Sequence, residues 1–83
     1  MKVTVKLFAN LKGIAGSDTV ELQLDDNKKI VDLLAEITKI LPPLKDVLES
    51  RKVFVSLNQE MAQKDDILKD GDEVGLLPPF SGG

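Results

Sequence analysis

The sequence predicts an α+β domain: a mixed sheet of four to five strands packed on one main helix, with a short second helix beside it. Three observations carry that expectation. Apolar and polar residues alternate at both ends of the chain and again after residue 52, which is the period of half-buried strands. Between residues 29 and 41 the apolar spacing changes to three and four, the period of an amphipathic helix. The resulting order is strand, strand, helix, strand, short strand, strand, with no internal repeat, linker or low-complexity segment.

From Lys2 to Ala9, Val3, Val5 and Leu7 share one face and Lys2, Thr4 and Lys6 the other, so this is a first strand. Phe8 breaks the pattern as an aromatic on the polar side. Residues 10–17, with Gly13 and Gly16, form a loop in which Leu11, Ile14 and Ala15 can add a turn of helix. Thr19 to Asp25 is a second strand, with Val20, Leu22 and Leu24 inward, close enough to the first for an antiparallel hairpin. Asp25, Asp26 and Asn27 are a turn cluster that can supply a helix cap. Ile30, Leu33, Leu34, Ile37, Ile40 and Leu41 then form the core face of the main helix. Asp32 in its first turn and Lys39 in its last suit the helix dipole, and Pro42-Pro43 stops it.

Leu44, Val47 and Leu48 have helical spacing and predict the short second helix. A third strand over 52–57 places Val53, Val55 and Leu57 inward and Phe54 and Ser56 outward. Asn58-Gln59 turns into a short return strand over 60–62, and residues 64–67 are irregular. Lys69 to Asp72 is a tight turn before the last strand, Glu73 to Leu77, in which Val74 and Leu76 point inward.

Composition excludes several functional classes. Eighty-three residues make one small domain with no room for a large internal pocket, so function belongs on the surface or at an end. The chain has no cysteine and no histidine, which removes disulfides, a thiolate nucleophile, the commonest general base and the commonest zinc ligand. A net charge of −3 disfavours nucleic acid, whose binding depends on neutralising phosphates. No apolar run approaches a membrane span and no signal-peptide pattern opens the chain, so a cytoplasmic location is expected.

The remaining constellations are weak as chemistry. Asp65, Asp66, Asp70, Asp72 and Glu73 crowd one region, but a calcium loop started at Asp66 places Leu68 and Leu77 at ligand positions. A solvated turn is the better reading, and no metal site is expected. The glycines match neither the P-loop nor the dinucleotide fingerprint, and Gly75 inside a strand marks close backbone approach or low packing. Asp25 and Asp26 sit at a turn with no partner for acid–base work.

Two features are more informative. Phe8, Phe54 and Leu77 fall out of phase with the core face of their strands, and Met61 joins them, so adjacent strands would carry an apolar patch of the kind that marks a partner interface. The alternative is that the helix or a loop covers some of them. Residues 1–77 form the domain, and residues 78–83 an extended tail: Pro78, Pro79, Phe80, Ser81, Gly82 and Gly83. The prolines end sheet pairing and favour an extended path. The two glycines carry no side chain, so a narrow tunnel can admit them. Six residues reach at most ~20 Å at ~3.3–3.6 Å each. The tail looks built to deliver a carboxylate into another protein's active site.

The segment Lys69 to Gly83, with its turn, strand, Pro-Pro and Gly-Gly in one run, resembles the C-terminus of ubiquitin-like sulfur carriers, most closely the molybdopterin synthase small-subunit type. Val3 to Ala9 and Val55 to Gln59 resemble the same family, so the likeness covers nearly the whole chain. It implies the β-grasp fold, in agreement with the order of elements. It also implies a mechanism in which a ubiquitin-activating-type adenylyltransferase uses ATP to adenylate the Gly83 carboxylate, and sulfur then displaces AMP to leave a thiocarboxylate. No cofactor would be bound by the chain itself. The large subunit of molybdopterin synthase would receive the tail, for donation of sulfur to the molybdopterin precursor. By the same resemblance, Phe8, Met61 and Leu77 match the family's partner-facing surface; Phe54 is added from strand phase alone. Thiamin-pathway carriers also end in Gly-Gly, and archaeal relatives both thiolate tRNA and modify lysines. These alternatives stay open, as does a non-catalytic interaction module.

Overall fold

The computed structural model describes residues 1–50 and 53–78. Among the described residues nine elements follow one another: β1 (Lys2–Leu7), α1 (Asn10–Ala15), β2 (Thr19–Gln23), α2 (Ile30–Ile40), a 3₁₀ turn (Pro42–Leu44), α3 (Lys45–Glu49), β3 (Phe54–Leu57), β4 (Glu60–Met61) and β5 (Glu73–Leu77). The strands form one mixed sheet in the order β2-β1-β5-β3-β4. β1 pairs with β2 and β3 with β5 in antiparallel fashion, while β1 and β5 are parallel, with Val5 opposite Val74 and Leu7 opposite Leu76. This is the expected α+β architecture.

Alternation decides which side of the sheet is wet. Val3, Val5 and Leu7 of β1 and Val74 and Leu76 of β5 are 0–1% exposed, and they meet Ile30, Leu33 and Ile37 of α2. Each such side chain contributes roughly 1.5–3 kcal/mol when fully buried. Leu11, Leu22, Leu44 and Leu68 complete the buried set. Ile40, expected on the core face, is instead 48% exposed, because it closes the last turn of α2 where the helix passes the core's edge. Val20 and Leu24 are only partly buried, as suits a strand at the sheet's edge and the residue just past it.

Two local expectations needed correction. The 10–17 loop holds a full six-residue helix, closed by Gly16 at φ 76° with its N–H donated to the Lys12 carbonyl (2.8 Å). That left-handed position is the one glycine fills without steric cost. The cap of α2 does not come from Asp25, Asp26 or Asn27. Lys29 is the capping residue, and its N–H is taken by the Asp32 carboxylate at 2.9 Å. The next two helix N–H groups, Ile30 and Val31, donate to the carbonyls of Asp66 (3.0 Å) and Lys64 (2.9 Å). A segment far along the chain therefore satisfies donors that a helix start leaves without partners.

That same segment explains Leu68. Residues 63–68 have no apolar period, yet the Leu68 N–H donates to the Lys28 carbonyl at 2.8 Å and Ile67 bridges to Lys29. The tether drives Leu68 into the core at 2% exposure and leaves Ile67 outside at 55%. Leu68→Ala is expected to cost about 2–5 kcal/mol in urea unfolding, and Ile67→Ala within about 0.5 kcal/mol of wild type. Equal losses would show that the tether does not orient this segment.

Candidate functional site

The outer face of the sheet is built in rows by its register. Phe54 stands opposite Leu77 on β3 and β5, and the Phe8 N–H donates to the Leu76 carbonyl at 3.1 Å, which brings Phe8 alongside on the β1 side. Phe8, Leu77 and Phe54 thus form one row across three strands. The next row is Lys6, Gly75, Ser56 and Met61. Phe8 is 40% exposed, Phe54 43% and Met61 70%, whereas Leu77, flanked on both sides, is half-buried. The structure therefore places the three outward apolar residues read from strand phase in one row, with Met61 in the adjacent row on the same face. The row of Phe8, Leu77 and Phe54 ends where Pro78 leaves the sheet.

Gly75 is the residue whose role the alternation left unspecified. A Cβ built there would stand 2.5 Å from Ser56 Oγ, 3.2 Å from a Phe8 ring carbon and 3.7 Å from Leu77 Cδ1. Its bare backbone is the floor over which the Phe8 ring lies, so close approach, not low packing, explains it. The signal was available in the sequence as a glycine inside an alternating strand, but the residues that crowd it come from two other strands.

Phe8 is also placed by a strained turn. The Leu11 N–H donates to the Phe8 carbonyl at 3.1 Å, closing a turn around Ala9 at φ 52°, ψ −132°. Glycine normally takes that corner, and a residue with a side chain there carries strain of order 1–3 kcal/mol. Charged groups border the patch on its other side. Lys6 Nζ pairs with Glu73 at 3.0 Å, and Lys2 Nζ with Glu21 at 2.7 Å. The hydrogen bond to Glu21, helped by its charge, raises Lys2 above the ordinary lysine pKa.

Three of the four crowded aspartates have backbone duties. Asp70 accepts the Lys2 N–H (2.7 Å), Asp66 that of Gln63 (2.9 Å), and Asp72 that of Lys69 (2.8 Å) together with Asn58 Nδ2 (3.0 Å). The Asn58 side chain also accepts the Glu73 N–H at 3.0 Å, tying the 58–59 turn to the start of β5. Among the described residues no cluster of three or more acidic side chains is arranged to hold a metal. The tail residues Pro79, Phe80, Ser81, Gly82 and Gly83 lie outside the described residues; Pro78, half-buried, is the last one described.

Crowding at Gly75 is testable. Gly75→Ala is expected to destabilise by about 1–3 kcal/mol, and Ser56→Ala in that background to restore part of the loss. A double-mutant cycle on urea midpoints measures the coupling; strict additivity would mean that Ser56 does not crowd the site.

Known proteins share both the fold and the sequence. The ThiS family model matches residues 5–83. The molybdopterin synthase sulfur carrier subunit of Chlamydomonas reinhardtii is 39% identical over 85 residues, covering 100% of each chain. The crystal structure of SAMP1 from Haloferax volcanii, the small archaeal modifier protein 1, superposes with a TM-score of 0.87 at 33% identity, again over 100% of both chains. Subunit 1 or 2 in the complex of the molybdopterin-converting factor from Helicobacter pylori matches at a TM-score of 0.71 and 27% identity, with 100% of each chain covered. With its β-grasp sheet, its outward apolar row and a family match that runs to the last residue, this chain belongs to the ThiS family.

Proposed function

We propose that this chain is a sulfur carrier that serves as the small subunit of molybdopterin synthase, with the Gly83 carboxylate as its reactive group. The observation that carries the reading is the meeting of two features at one end of the sheet. The apolar row Phe8, Leu77 and Phe54 surrounds the strand end from which the Pro-Pro…Gly-Gly tail departs. Likeness to sulfur carrier subunits over the full chain supports it. So does a composition without histidine or cysteine, which leaves the chain few groups for chemistry of its own.

The chemistry follows from what a carboxylate lacks. Its oxygen is a poor leaving group, so a ubiquitin-activating-type adenylyltransferase transfers AMP from ATP to the Gly83 carboxylate, with pyrophosphate leaving. Sulfide-level sulfur (HS−) attacks the acyl carbon, AMP departs with its electron pair, and after loss of the S–H proton a thiocarboxylate remains. Within the large subunit of molybdopterin synthase, that sulfur is donated to the molybdopterin precursor. ATP belongs to the activating enzyme, and this chain is the donor subunit, not the catalyst. Phe8, Phe54, Met61 and Leu77 hold the partner, while Pro78, Pro79, Phe80 and Ser81 carry Gly82 and Gly83 into its active site.

A second reading has its own support in the likeness to the small archaeal modifier protein 1. A lysine amine attacking the same adenylate would give an isopeptide bond, with the chain as a protein modifier. Sulfur carriage for thiamin or tRNA uses the same thiocarboxylate with a different acceptor.

Incubation with a cognate adenylyltransferase, ATP and a sulfur source is expected to replace one oxygen by sulfur in the intact-chain mass, and deletion of Gly83 to abolish the change. An unchanged mass gain after deletion would end the proposal. Lysine peptides carrying Gly-Gly remnants, in place of a persistent thiocarboxylate, would favour the modifier reading. For the docking row, Phe8→Asp is expected to weaken binding to the large subunit at least tenfold, about 1.4 kcal/mol, with cooperative melting retained. Undiminished binding would remove Phe8 from the interface.

A further inference from the structure

A second apolar surface lies on the helical layer, across the domain from the sheet's outer face. It is a groove of about 460 Å³ between α2 and α3, lined by Val31, Leu34, Ala35 and Leu48. It continues past Leu34 and Leu48 to Val53 and Val55 beside β3. Val31 is 46% exposed, and its apolar neighbours Leu34, Leu48, Val53 and Val55 are only half-buried. The helices thus leave uncovered an aliphatic trough that folding alone does not require.

The groove's rim is locally basic. In a chain of net charge −3, its lining includes two ammonium groups, Lys45 and Lys64, against one carboxylate, Glu49. Neither Lys45 nor Lys64 makes an ion pair among the described residues, so both ammonium groups are available to a ligand's carboxylates. A phosphate ligand is disfavoured, because the N–H groups that the start of α2 would offer an anion are taken by Asp32, Lys64 and Asp66. Aliphatic walls with unpaired cations on the rim fit an apolar segment that carries carboxylates.

We propose that this groove docks an acidic amphipathic segment of another protein, with its aliphatic side chains against Leu34, Leu48 and Val55 and its carboxylates facing Lys45 and Lys64. The site is separate from the apolar row on the sheet. A protein seated there leaves Phe8 and Leu77 open to a catalytic partner, so both can be held at once.

The test uses the full chain with methyl-labelled side chains and two synthetic peptides, one alternating leucine and valine with glutamate, the other with lysine in place of each glutamate. Saturable shifts of the Val31, Leu34, Leu48 and Val53 methyls with the acidic peptide are expected, together with undisturbed Leu77 methyls. The charge-reversed pair Lys45→Glu and Lys64→Glu is expected to weaken that binding about five- to tenfold, the effect of two exposed ion pairs. Ala35→Trp, which fills the groove from the exposed side of α2, is expected to abolish it while melting stays cooperative. Shifts of equal size with the basic peptide, shifts centred on Phe8 and Leu77, or no shifts with either peptide would each overturn the proposal.

Discussion

The parallel pairing of β1 with β5 is the constraint on which the rest of the structure depends. Parallel strands cannot be joined by a hairpin and need a long crossover; here the intervening chain supplies α2, α3 and the β3–β4 hairpin. The pairing places β5 in the sheet's interior, with ladders to β1 on one side and β3 on the other. The strand that leads into the tail is therefore held by β1 up to Leu76 and by β3 up to Leu77. A short tail can reach a defined point in a partner only if its root is fixed, and this topology fixes it with backbone hydrogen bonds.

The same pairing makes the outer face. Phe8 directly follows β1, Leu77 ends β5 and Phe54 begins β3, and they are neighbours only because β5 lies between the other two strands. Gly75 lets the Phe8 ring lie over the strand, and the strained corner at Ala9 sends the chain away directly after that ring. Small backbone features thus shape an apolar row, and paired charges at Lys6–Glu73 and Lys2–Glu21 bound it.

Acidic residues serve a repeated local purpose. Asp32, Asp66 and Asp72 each accept the N–H of the residue three positions earlier, and each donates its own N–H to that residue's carbonyl. This reciprocal bond stabilises a helix start in one case and tight turns in the others. An acid-rich stretch that resembles a ligand cluster in one dimension is thereby occupied with backbone geometry. The groove on the helical layer, with Lys45 and Lys64 in its lining, lies apart from that stretch's turns and from the sheet's apolar row.

What the sequence by itself determined is everything that depends on near neighbours. Val3, Val5 and Leu7 alternate and Ile30, Leu33 and Ile37 recur at helical spacing because each period reports which side of one element is dry. The outward phase of Phe8, Phe54 and Leu77 was legible for the same reason, and the family likeness was legible in the Pro-Pro and Gly-Gly of the tail. Tertiary structure alone decided the rest. Leu68 lies in a stretch without a period and is buried because Lys28 and Lys29 bind that stretch. The start of α2 is satisfied by carbonyls more than thirty residues away, which no local capping motif announces. Ile40 kept the helical period yet lies outside, since a period cannot tell where the core ends. Whether three outward apolar residues form one surface or three isolated ones depends on strand order and register, and those are set by long-range packing.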